Sequence, residues 1–339
     1  MSAPATPSLA TMSATNAGPE VSWPTRRIGG FANIDYGGMD ALDDVHFKLG
    51  DVVLHATAEL STYWSFFTEV TFNPKQVKVE RAILRYDYSE YFTFSAGRYH
   101  QRILYWNDTF HHGRWLQTTI ERPSIIVFGG KLLPVHSTGV VIEGALPILP
   151  ALGLQYHLGL TDGNADHTHD SSMPASINSL SEVAFTGSLM ARPPSVRGLQ
   201  LGLTGYYDPA YVHGTMKMPM TTISAHVALE RETPEIIAEY LHLRHDHMGS
   251  VFTSNAAYLQ VAWRLSAFDG LMKPYYRFEW TRLSRDDVAL ATLQSGDRHT
   301  AGLRLDLTSV VALKLEYRNV TPVGMQSSHG GFAQLGMAW

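Results

Sequence analysis

Residues 311–318 read VALKLEYR. Val311, Leu313, Leu315 and Tyr317 fall on one side of an extended chain; Ala312, Lys314, Glu316 and Arg318 fall on the other. Alternation at a period of two marks a strand with one apolar and one polar face. Working outward, 300–307 (TAGLRLDL), 258–265 (YLQVAWRL) and 52–60 (VVLHATAEL) repeat the pattern, and no amphipathic helix of ordinary length interrupts it. The spacing predicts strands at 28–37, 51–60, 63–72, 77–87, 91–98, 137–146, 152–161, 181–192, 198–208, 220–231, 235–245, 254–265, 271–284, 297–308, 310–320 and 330–339. Two are out of phase. In 236–244 Glu239 shares a face with Leu241 and Leu243, and 79–85 is similarly irregular. A bulge in either would restore the alternation.

Sixteen strands is an even number, as closure of a bacterial antiparallel barrel requires. The connections sort by parity, short at 61–62, 89–90 and 232–234 and longer at 38–50, 99–136, 162–180 and 285–296. The polar face carries both charge signs deep within strands, as lumen-wall candidates Glu69, Arg85, Arg264, Arg277, Arg304 and Lys314 illustrate. That face suits a watery interior and leaves the apolar face for lipid. The fold class expected is therefore all-β, a transmembrane antiparallel barrel spanning 26–339. Residues 1–25 form an Ala-, Ser-, Thr- and Pro-rich lead-in, with no basic segment followed by an apolar one as a signal peptide would have.

Bulk composition agrees. Among 339 residues, 26 basic groups face 31 acidic ones, so no polybasic footprint points to nucleic acid. No apolar run reaches the roughly 18 residues of a membrane helix. Cysteine is absent, which removes disulfides, thiolate catalysis and cysteine-based zinc sites. The chain ends on Trp339 in phase with Ala333, Leu335 and Met337. An aromatic terminus of this kind resembles the signal that outer-membrane barrels present to their assembly machinery.

One segment does not alternate. Residues 97–123, GRYHQRILYWNDTFHHGRWLQTTIERP, hold His100, Arg102, Asp108, His111, His112, Arg114, Glu121 and Arg122 among five aromatic residues. Connections this long in a compact domain are usually functional. Placed on the long-loop rim, this third loop (99–136) is expected to fold into the barrel and narrow it, with a basic bias that grows as histidines protonate.

At these residues the chain resembles the phosphate-selective porin O/P family of outer-membrane porins. The likeness covers roughly 50–146 and rests on Glu80 and Tyr86 in paired strands, Ala96–Tyr99 closing the fifth strand, and Glu121-Arg122-Pro123 ending the insert. It is nearest to a branch with a YWN…HHG…WLQT insert, here Tyr105–Asn107, His111–Gly113 and Trp115–Thr118. The resemblance implies a sixteen-stranded barrel in the outer membrane of a Gram-negative cell, often a homotrimer, passing small hydrophilic solutes or ions without a cofactor. The Pro-aromatic-Gly step of that family is replaced by Arg102-Ile103-Leu104, and no Lys/Arg ladder is visible, so phosphate selectivity does not carry over.

Two other classes leave traces. A metal-binding barrel would use the His-x-His pairs His167/His169 and His245/His247 on external loops. A barrel enzyme would need a pair such as Ser224/His226 or His55/Thr57, but neither pair comes with a third group or an oxyanion donor.

Overall fold

The computed structural model describes residues 23–39, 46–74, 76–111, 113–127, 132–163, 182–213 and 216–339. Sixteen antiparallel strands close into one barrel in sequence order. They are β1 (Thr25–Met39), β2 (His46–Glu59), β3 (Trp64–Asn73), β4 (Gln76–Ser89), β5 (Phe92–His100), β6 (His136–Ala145), β7 (Leu154–Thr161) and β8 (Ala184–Ala191) in the first half. The second half comprises β9 (Leu199–His213), β10 (Met216–Leu229), β11 (Glu235–His247), β12 (Ser250–Ala262), β13 (Met272–Arg282), β14 (Gly296–Asp306), β15 (Val311–Pro322) and β16 (Ser328–Ala338). Every strand expected from the alternation is present. The expected barrel start at 26 lies one residue inside β1, and residues 1–22 of the lead-in lie outside the described residues.

Closure joins the two ends of the chain. β1 pairs with β16 from Phe31 opposite Ala338 to Met39 opposite Gly330. Beyond that register, Trp339 and Gly30 exchange backbone hydrogen bonds of 3.1 and 3.2 Å. A Cβ at Gly30 would meet the Trp339 ring at 2.3 Å and the Val53 carbonyl at 2.6 Å, so the seam requires glycine there.

The rims differ from expectation in one respect. The stretches left between predicted strands at 209–219 and 246–253 are largely strand, since β9 and β10 pair out to His213 and Met216, and β11 and β12 pair out to His247 and Ser250. Polar and Met-rich sequence hid this pairing, because cross-strand hydrogen bonds do not require apolar side chains. The long rim is thus defined chiefly by the connections after β5, β7 and β13.

The alternation is inside-out. Along β13, Lys273, Tyr275, Arg277, Glu279 and Thr281 are buried within the barrel, while Tyr276 stands exposed outside. Outward positions elsewhere are Leu201, Leu203, Ile223, Val227, Leu259, Val261, Leu315 and Tyr317. Near the rim bearing the turns after β2 and β4, Tyr63, Trp64, Tyr86 and Tyr88 form a contiguous ring cluster, of the residue types that membrane barrels gather in aromatic girdles. Of the two out-of-phase strands, β4 contains the bulge. Its register against β3 shifts between Glu69 opposite Arg81 and Val70 opposite Val79, leaving Glu80 as the extra residue. β11 has none: it pairs without a shift on both sides, and Ile237, Glu239, Leu241, Leu243 and His245 all point inward. Apolar side chains face inward there because part of the interior is not water.

Candidate functional site

What fills that part is the third long-rim connection, running from Gln101 to Val135 between β5 and β6. Among its described residues are two short helices, α1 (Tyr105–Phe110) and α2 (Ser124–Val127). Its apolar residues Ile103, Leu104, Tyr105, Trp106, Ile125, Ile126, Leu132 and Leu133 are all buried, in one cluster with Met218, Met220, Leu241 and Leu243 of the wall. Burying such side chains stabilises by about 1.5–3 kcal/mol each. The loop therefore carries a core of its own into the lumen and seats it against β9–β12.

An irregular segment inside a barrel must still satisfy its backbone polar groups. Here the wall does so with charge. Glu239 accepts from the Tyr105 and Trp106 amides at 2.7 and 3.0 Å, capping α1; a carboxylate suits the positive end of a helix. Glu279 accepts from the Ser124 amide at the start of α2, and Glu316 from the Ile120 amide at 2.9 Å. In return, Arg277 donates to the Thr119 hydroxyl and to the Glu121 and Arg122 carbonyls. Arg304 donates to the carbonyls of Trp115 and Gln117, and Lys314 to those of Arg114 and Thr119. Arg277 and Lys314 are fully buried by these contacts. The alternation predicts both on the lumen wall, and that is where they stand, beneath the loop. Together with Arg304 they anchor the loop that lies over them.

The remaining wall is different. On β3–β6, Arg81 pairs with Glu69 at 2.7 Å, and Arg85 pairs with Asp87 and Glu143 at 2.8 and 2.7 Å. The loop joins this array through Arg102, which bridges Asp108 and Glu143. Glu69 is buried, but the arginines and Asp108 stay partly wet, with side chains 40% exposed at Arg85, 35% at Asp108 and 29% at Arg102. Arg264 sits towards the short-turn rim, bound to Glu232, Asp306 and the Gly270 carbonyl.

The other expected loop residues divide among distinct environments. Glu121 pairs with Arg298 and Arg318. Burial alone would raise its pKa, but Arg318, Arg298, Arg114 and Arg277 hold it below the ordinary value. Arg114 donates to the Ile120 carbonyl within the loop. Arg122 lies over the Trp106 ring at 5.8 Å, and burial, then the neighbouring Arg114, lower its pKa to about 10, so it remains charged at neutral pH. His100 and His111 are buried together, beside His136, which the sequence reading did not single out. His112, His167 and His169 lie outside the described residues. His245 is in β11 rather than on a loop, fully buried, with Nδ1 2.8 Å from Asp287 and its ring stacked on Tyr211. Ser224 donates to the Ile103 carbonyl and the His226 Nε2 meets Gln200, so each member of that pair is engaged elsewhere.

No family model matches the chain, and no curated protein matches it significantly. Solved structures do match. An anion-selective porin from Comamonas acidovorans superposes with a TM-score of 0.65 at 12% identity, covering 93% of this chain and 100% of its own. OmpF of Salmonella typhi, solved with daunomycin, gives 0.63 at 10% identity, covering 93% of this chain and 97% of its own. The outer-membrane channel DcaP of Acinetobacter baumannii gives 0.62 at 10% identity, with the same two coverages. The fold is that of the outer-membrane porins. At these identities the likeness is one of architecture, and it does not extend to the phosphate-selective branch or its insert.

Proposed function

We propose that the chain is an outer-membrane porin of a Gram-negative cell, passing small hydrophilic solutes or ions by passive diffusion past the inward-folded third loop. One observation carries this reading. Beside the seated loop, the inward-facing charges of β4 and of the loop itself remain partly open to solvent, while the outer face is apolar. A solute would pass between the loop and the β2–β6 wall. Two cations there, Arg85 and Arg102, face three carboxylates, Asp87, Asp108 and Glu143, paired side to side. With one carboxylate in excess, only a weak preference for cations follows. The apolar girdle suits lipid, Trp339 at the closing seam suits recognition by the barrel assembly machinery, and a homotrimer is the assembly proposed. Purified, heat-modifiable barrel in planar bilayers should give stepwise conductance, and its absence at every voltage would refute an open channel.

A further inference from the structure

The three histidines that meet at the loop's edge are neither among the charges left open to solvent nor in the His-x-His pairs. His100 ends β5, His111 closes α1 and His136 opens β6. The three are buried, and one nitrogen from each lies within 4.8 Å of the others. Their ring centroids are 4.5, 4.8 and 5.0 Å apart. Two carboxylates flank the group, Glu80 at 3.0 Å from His136 Nε2 and Glu69 at 3.7 Å from His100 Nε2. Glu80 is the extra residue of the β4 bulge, and bulges of this kind re-aim a side chain.

We infer that His100, His111 and His136 form a site for a divalent transition cation of the zinc class, with Glu80 as fourth ligand or as the carboxylate that orients His136. Imidazole ligands select Zn²⁺, Cu²⁺ or Ni²⁺ over Mg²⁺ and Ca²⁺, and three histidines with one carboxylate match a zinc donor set. Zinc–nitrogen bonds of about 2.1 Å place tetrahedral ligands about 3.4 Å apart, so small side-chain rotations close the cluster around an ion. Glu80 and Glu69 offset the charge of a buried dication, although Lys78 and Arg81 pair with them at 3.4 and 2.7 Å. The three ligands come from two strands and the loop. A bound ion would therefore clamp the loop to the β5–β6 side, opposite the anchors on β11–β15. Because the cluster is buried, the ion enters most readily while the barrel folds.

The test refolds the full chain from urea into detergent with EDTA or with ZnCl₂, followed by gel filtration and metal analysis. Retention of about one zinc per heat-modifiable barrel is expected, along with a higher unfolding temperature and a visible d–d spectrum with Co²⁺. His111→Ala, on the loop, and His136→Ala should each abolish retention, while a variant with His167 and His169 both changed to Ala should retain the ion. If His136→Ala does not fold, His111→Ala and the wild-type stoichiometry decide alone. No stoichiometric zinc in folded wild type, or retention undiminished in His111→Ala, overturns the site.

Discussion

The two sides of the lumen use the same residue types for different ends. On β11–β15, Glu239, Glu279 and Glu316 accept from loop amides and Arg277, Arg304 and Lys314 donate to loop carbonyls, and the charges vanish from solvent. On β3–β6, Arg81 and Arg85 pair with neighbouring carboxylates and stay partly wet. Alternation places all of these side chains inward. The loop decides which become anchors and which remain to meet a solute. Buried charges held by several partners are costly to break, whereas solvated pairs are nearly neutral.

That contrast is most exposed to test at Arg277. Its removal strands Glu279 and takes donors from two loop carbonyls, so Arg277→Ala should cost about 3–5 kcal/mol in denaturant unfolding of the refolded barrel. Lys314→Met keeps the side-chain length but withdraws the ammonium from the Arg114 and Thr119 carbonyls. A smaller loss of about 1–3 kcal/mol is expected there. Glu121 gives a pH signature. Its folded pKa lies below its ordinary 4.5, so its stabilising contribution is complete above that value and is lost as pH falls through the depressed one. Loop release, read as a rise in conductance on acidification below about pH 4.5, should be blunted in Glu121→Gln. Smallest in stability is Arg85→Ala on the open wall, about 0–1 kcal/mol. Its effect should instead be on reversal potential in a KCl gradient, shifted towards cations. A large stability loss at Arg85, or none at Arg277, would erase the distinction between the two walls.

The barrel was legible because its signal is local. All but two of the sixteen strands announce themselves by a clean period of two, and Trp339 lies in phase with Leu335 and Met337 at the seam. The loop's place on the long rim followed from counting connections. What could not be read was the fate of individual wall charges, since Arg277 and Arg85 look alike in sequence and differ only in what lies over them. The inward Leu241 and Leu243 were a clue to that cover, and they resembled a phase error because a lumen is expected to be polar. The histidine cluster was hidden for another reason. His100, His111 and His136 are spread over a loop whose closure no spacing rule describes, and His136 sits just where β6 begins.

Single-channel recording of the wild-type barrel beside Arg277→Ala tests the seated-loop channel most directly. Discrete conductance steps in the wild type, with larger and noisier steps once the anchor is removed, are the predicted result. A silent wild-type barrel, or identical steps in the two proteins, would contradict it.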